Sequence, residues 1–206
     1  MAKKAPKTLT RSQAKALLDC LQYHGHTDSS KHRGIRDYAI ALLMLDAGLR
    51  VGEVVQLKRD DLWFYEAPVK TINILAEMTK TKTERSIPVS DRLYAAIVLL
   101  KMHVWPWTES KCPKFAFSVP YSAHPITVRQ IRNRITQAAK ESLGIKVNPH
   151  MLRHTFATRL MQQTNIRVVQ QLLGHQSLSS TQIYTHPNAD DLERAIENMN
   201  ADEKVN

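Results

Sequence analysis

Cysteine is scarce in this chain: Cys20 and Cys112 are the only two, they lie far apart, and neither sits in a CxxC pair. A disulfide framework and a cysteine-built metal site therefore have little support, and both residues read as ordinary thiols of a reducing compartment. Long apolar runs are missing too. None reaches the ~18 residues that a bilayer crossing needs, and the basic start MAKKAPKTLT has no hydrophobic segment behind it, so it is no secretory signal. The chain also lacks internal repeats and low-complexity linkers. A soluble protein of the cytoplasm is expected.

The chain has 206 residues, 43% of them hydrophobic, which suits one compact domain with its own core. Lys and Arg number 29 against 19 Asp and Glu, a net charge of +10 that attracts a polyanion. The excess is uneven. Residues 190–206 hold six acidic and two basic side chains, net −4, which leaves 27 basic and 13 acidic residues, net +14, on the remaining 189. The body suits nucleic acid and the tail suits protein.

Patterning predicts a mainly α domain with a small antiparallel β-sheet, an α+β fold. Residues 1–8 read as a flexible basic leader. LTRSQAKALLDCLQY opens a helix capped by Thr10 with Gln13 as capping-box partner, and Ala14, Leu17, Leu18 and Leu21 form its apolar stripe. HGHTDSSKHRG is expected to be a loop, and IRDYAIALLMLDAG a buried central helix stopped by Gly48. After a short helix in VGEVVQLKRDDL, alternation and β-branching near residues 69–89 predict a three-stranded insert. Helix resumes at Ser90, with a pause at the WPW and Pro113 loop region. A further helix spans Thr127 to Ser142, with Val128, Ile131, Ile135 and Ala138 inward and Gly144 at its end. PHMLRHTFATRLMQQ and RVVQQLLG supply two more. The tail carries Leu192, Ile196 and Met199 on one helical face.

Several polar residues do not fit a packing role. Arg50 and Glu53 follow the central helix at helical spacing, where a carboxylate can hold a guanidinium fork aimed at phosphate oxygens; an exposed ion pair is the plainer reading. His150, Arg153 and His154 fall within about one helical turn. As a metal site this H-x₃-H lacks both the glutamate of H-E-x-x-H and a third ligand. As a phosphate site it offers Arg153 as a second fork and His150 as proton carrier, with His154 in a structural hydrogen bond. Lys80 and Lys82 share one face of the β segment TKTKTERSIPV, either at a hairpin tip that reaches DNA or as solvated edge lysines. In LLGHQSLSSTQIYTH, His175 and Tyr184 complete a set suited to metal-free attack by a phenol on a phosphodiester.

Four blocks, AGLRVGEVVQL, TKTKTERSIPV, PHMLRHTFATRL and LLGHQSLSSTQIYTH, resemble in order and spacing the catalytic domain of the tyrosine recombinases, the family of phage integrases and Xer-like and Cre-like recombinases. The resemblance covers about Leu9 to Glu197. It implies Arg50, Lys80, His150, Arg153, His175 and Tyr184 as catalytic residues, with Glu53 in support and Lys82 as the alternative to Lys80. Lys82, Arg85, Arg129 and Arg132 are the expected DNA contacts. The implied activity is site-specific strand exchange in integration, excision, inversion or resolution, through a 3′-phosphotyrosine and with neither metal, ATP nor other cofactor. The implied partners are double-stranded DNA, three further copies of the chain in a tetramer, and candidate DNA-bending accessory proteins, in a bacterial cytoplasm or nucleoid. Residues 9–189 would be the catalytic domain and 190–206 a tail helix that docks on a neighbouring protomer. The pattern begins at Leu9, without the separate core-binding domain usual in the family ahead of it, so two expectations stand: a fragment of a longer recombinase, or the short kind similar to the fimbrial phase-switch recombinases, which the start methionine and basic leader slightly favour. Rival readings are a type IB topoisomerase, a DNA-binding regulator and a metal-dependent nuclease.

Overall fold

In the computed structural model, residues 7–23, 27–79, 82–108, 114–118, 124–175 and 181 are described. Helix α1 (Arg11–Gln22) begins with the expected capping box: Thr10 Oγ1 accepts from Gln13 N at 3.2 Å and Gln13 Oε1 accepts from Thr10 N at 3.0 Å. Its stripe of Ala14, Leu17, Leu18 and Leu21 is buried against α2 (Asp28–Leu45) and α6 (Val128–Leu143). Helix α2 is the centre of the molecule, with residues Ala39 to Leu45 all buried. It starts earlier than expected, because Thr27 caps the backbone N–H of Ser30 at 3.2 Å; the second half of the expected loop is helical. Short polar residues that read as loop formers are also the preferred N-caps.

After α3 (Val51–Val54) the β segment differs from the three-stranded insert predicted. The described residues form two separate antiparallel pairs, β1 (Trp63–Phe64) with β2 (Ala67–Pro68) and β3 (Thr71–Ile74) with β4 (Arg85–Pro88). In the second pair Thr71 faces Pro88 and Ile74 faces Arg85. Burial alternates, so Ile72, Ile74, Arg85 and Ile87 point inward. Helix α4 (Asp91–Leu99) is capped by Ser90 as expected. The pause expected at WPW and Pro113 is not seen at WPW, where a π-turn at Leu100–Val104 leads into α5 (Trp105–Thr108); Pro113 lies outside the described residues. The helical ladder continues across the junction, with the Trp105 backbone N–H donating to the Leu100 carbonyl.

Helix α6 has its own capping box from Thr127 and Gln130, and buries Ile131, Ile135 and Ala138. Helix α7 (Pro149–Met161) is capped by Asn148 and carries proline at its first position. It packs on α2 and α8 (Ile166–Leu173), which ends at Gly174. Asp37, 3% exposed, joins distant parts of the fold. One of its oxygens accepts from Arg36 Nε at 2.9 Å and Nη2 at 2.8 Å, and the other from Arg134 Nε at 2.8 Å. Arg134 of α6 thus turns inward. No helix among the described residues is long and apolar enough to cross a membrane. The leader and the tail with Leu192, Ile196 and Met199 lie outside or almost wholly outside the described residues.

Candidate active site

Three turns of chain meet beside the end of α2. The first is the passage from α2 to α3. Gly48 adopts φ +62, a conformation that side chains rarely take, and a Cβ there would lie 2.4 Å from the Phe156 ring. This tight passage places Arg50 at the N-cap of α3 and buries Glu53 one turn later. Each Glu53 oxygen accepts two hydrogen bonds. Oε1 takes Arg50 Nη1 at 2.9 Å and Arg85 Nη1 at 3.1 Å; Oε2 takes the Arg50 backbone N–H at 2.7 Å and Arg85 Nη2 at 2.6 Å. Burial pushes the Glu53 carboxyl up, but the hydrogen bonds and charge of Arg85, with the Arg50 backbone N–H, outweigh it and hold the group below the ordinary carboxylate value. The Arg50 side chain remains 28% exposed and is aimed outward from this anchor.

The second turn is α7, which carries His150, Arg153 and His154. Arg153 is buried: Nη1 donates to the Gly48 carbonyl and Nη2 to the Leu173 carbonyl at 2.7 Å. It therefore ties the α2–α3 passage to the end of α8. His150 lies at the surface end of the same helix. Burial and the charges of Arg153, Arg132 and Arg50 hold its ring below the ordinary histidine value. His154 is held down by burial and by His150 and Arg153.

The third turn follows α8. Gly174 (φ +61) reverses the chain and presents His175. Its Nε2 is 3.4 Å from Arg153 Nη2 and its Nδ1 is 2.9 Å from Thr181 Oγ1, while its carbonyl accepts from Gln170 Nε2 at 3.0 Å. A guanidinium only donates, so Nε2 is the acceptor and Nδ1–H donates to the threonine. Burial, then the charges of Arg153, Arg50 and Arg85, lower this histidine to about 4, so it is neutral at pH 7. Two arginines, two histidines and a clamped carboxylate, from α3, α7 and the end of α8, are gathered around one exposed edge. Preorganised cationic donors with neutral imidazoles beside them can receive an anion and shuttle its proton.

The profile of the phage integrase family matches residues 7–191. The chain belongs to the phage integrase family. Among its relatives, tyrosine recombinase XerD of Lacticaseibacillus casei is 38% identical over 189 residues, covering 90% of this chain and 60% of that protein. Tyrosine recombinase XerA of Pyrococcus furiosus is 34% identical over 199 residues, covering 96% and 63%. The crystal structure of XerA recombinase superposes with a TM-score of 0.70 at 29% identity, over 95% of this chain and 66% of that one. XerH site-specific recombinase bound to difH substrate gives 0.73 at 24% identity, over 95% and 55%, which bears on the fold alone. The chain spans about 60% of the length of the curated relatives it matches.

The structure brings Arg50, Glu53, His150, Arg153 and His175 together. Lys80 and Tyr184 lie outside the described residues. Lys82 is exposed in the turn between β3 and β4, with φ +47, and Arg129 and Arg132 are exposed on α6. Arg85 does not stand where a DNA contact was expected. Its side chain is 1% exposed and spent on Glu53 and on the Leu172 carbonyl, which accepts from Nε at 2.9 Å. The parity of the strand held that signal: Arg85 shares its face with Ile87, which has to be buried. Thr181, buried and bonded to His175, carried no signal in the sequence. Among the described residues no three His, Cys, Asp or Glu side chains converge as a metal-binding group.

Proposed function

We propose that this chain is the catalytic domain of a site-specific DNA recombinase that cuts and rejoins strands through a 3′-phosphotyrosine. The observation that carries the reading is the convergence of Arg50 and Arg153 on His175, with Glu53 fixing the first guanidinium. Arg50 and Arg153 receive the nonbridging oxygens of the scissile phosphate, and His175 joins them in the tautomer that carries its proton on Nε2, with Nδ1 then accepting from Thr181 Oγ1. Tyr184 Oη attacks phosphorus as its proton passes toward His150, the P–O5′ bond breaks, and Lys80 protonates the departing 5′ oxygen. A 5′-hydroxyl of the partner duplex then reverses the step. Bond energy stays in the phosphotyrosine, so neither metal nor ATP enters. Each preorganised donor supports ~10²–10³ in rate, and each proton carrier ~10²–10⁴.

Lys82, Arg129 and Arg132 are the proposed phosphate contacts on double-stranded DNA. The acidic tail, unfit to lie on DNA, is proposed to dock on a neighbouring copy and link four protomers, with DNA-bending accessory proteins as further partners in the cytoplasm. The test is a nicked suicide duplex that traps the covalent adduct. Tyr184→Phe is expected to keep DNA affinity and lose the adduct; a denaturation-resistant band from that variant would refute the assignment. Recombinant products from two-site DNA separate strand exchange from simple relaxation.

A further inference from the structure

Arg85, like Arg153, is a buried cation that touches two arms of the site at once. Its guanidinium grips both oxygens of Glu53, at 3.1 and 2.6 Å, and Glu53 in turn holds the Arg50 side chain at 2.9 Å. On its third edge, Nε donates 2.9 Å to the Leu172 carbonyl in the last turn of α8, three residues before His175. Its stem lies against the turn itself: a Cβ on Gly174 would come within 3.1 Å of Arg85 Cδ and 3.3 Å of Nη1. The neighbouring Leu173 carbonyl is taken by Arg153 at 2.7 Å, so two guanidinium groups side by side hold the carbonyl end of α8.

A surface contact would show an exposed head group, whereas this side chain is 1% exposed with its partners 32 and 87 residues away in sequence. A purely structural ion pair would need only Glu53. The bond to Leu172 and the close seat of Gly174 are left over, and both point at the turn that presents His175. We propose that Arg85 is a positioning residue for the phosphate site, setting Arg50 through Glu53 and setting His175 through the end of α8. This rests on the proposed cleavage reaction, in which Arg50 and His175 both receive the nonbridging oxygens.

A lysine at this position keeps the charge but cannot span two carboxylate oxygens and a carbonyl together. Misplacement of catalytic groups by about 1 Å from a change away from the chemistry costs roughly 10²-fold. Arg85→Lys is therefore expected to bind DNA like the unaltered protein and to cleave a suicide duplex about 10²-fold more slowly. The distinguishing substrate carries a methylphosphonate at the scissile position, where one nonbridging oxygen is replaced by methyl and the charge that the cationic site must meet is removed. There the deficit should shrink to under about 10-fold, because placement of Arg50 matters less. A general loss of packing would slow both substrates alike.

Thermal melting is followed in parallel, and if Arg85→Lys does not fold, the Arg85→Met, Glu53→Met double variant, which removes both buried charges, is read in the same way. Equal deficits on the two substrates, or full cleavage of both, would overturn the inference while the unaltered protein still forms its adduct. Absence of any adduct with the unaltered protein would overturn the cleavage reading and this inference with it.

Discussion

Replacing Glu53 by glutamine removes one charge and little volume from the best-buried carboxylate in the site, 1% exposed. Its four hydrogen bonds divide two and two between the oxygens, so an amide can keep only one pair and must turn an NH2 toward two donors. Two charge-assisted bonds at ~1.5–3 kcal/mol each are lost, and Arg85 is left buried beside a neutral group. Water reaches the partly exposed Arg50 and returns some of this, which leaves about 3 kcal/mol. That is a large share of the ~5–15 kcal/mol typical of a domain, yet it allows folding. At 2–4 °C per kcal/mol the melting temperature should fall by roughly 6–12 °C, read by calorimetry at pH 7. Because the folded carboxyl titrates below its unfolded value, its contribution is complete above that unfolded value and fades as pH falls through the lower folded one. The gap between the two proteins should therefore narrow on acidification below pH ~4. A melting shift under about 2 °C at pH 7, or a gap that does not narrow in acid, would refute the clamp.

His175 carries a linkage of the same sign in a higher pH window. Its folded value of about 4 lies below the unfolded value of 6.5, so the unfolded chain takes up a proton first and stability should fall as pH drops from 6.5 toward 4. The full shift would amount to ~3 kcal/mol, and solvent screening of this half-exposed ring reduces it to roughly 1–2. Denaturant titrations should show a flatter pH profile for His175→Gln over that interval. Gly48→Ala forces a side chain into φ +62 and toward Phe156, at an expected ~2–4 kcal/mol by denaturant unfolding, and should slow adduct formation because the Gly48 carbonyl seats Arg153. For the general acid, a 5′-phosphorothiolate leaving group, which needs no proton, should rescue Lys80→Ala and not Lys82→Ala; the reverse would transfer the role to Lys82.

What the sequence by itself determined is local or motif-borne. Thr10 with Gln13 and Thr127 with Gln130 signal their helix starts because a cap and its partner are three residues apart. The stripes of α1 and α6 are legible because a helix repeats every 3.6 residues. Arg50, His150, Arg153 and His175 stood out because their motifs keep fixed spacing. Polar loop formers concealed the start of α2, and β alternation could not say which strands pair, since pairing is chosen by neighbours far along the chain. Tertiary structure alone decided that Arg153 closes on a carbonyl 105 residues away, that Arg134 turns inward to Asp37 across 97 residues, and that Arg85 is buried against Glu53. The reason is common to all three: a guanidinium has no strong local preference. Its place is set by the carboxylates and carbonyls that folding buries around it, which must find donors once water has gone.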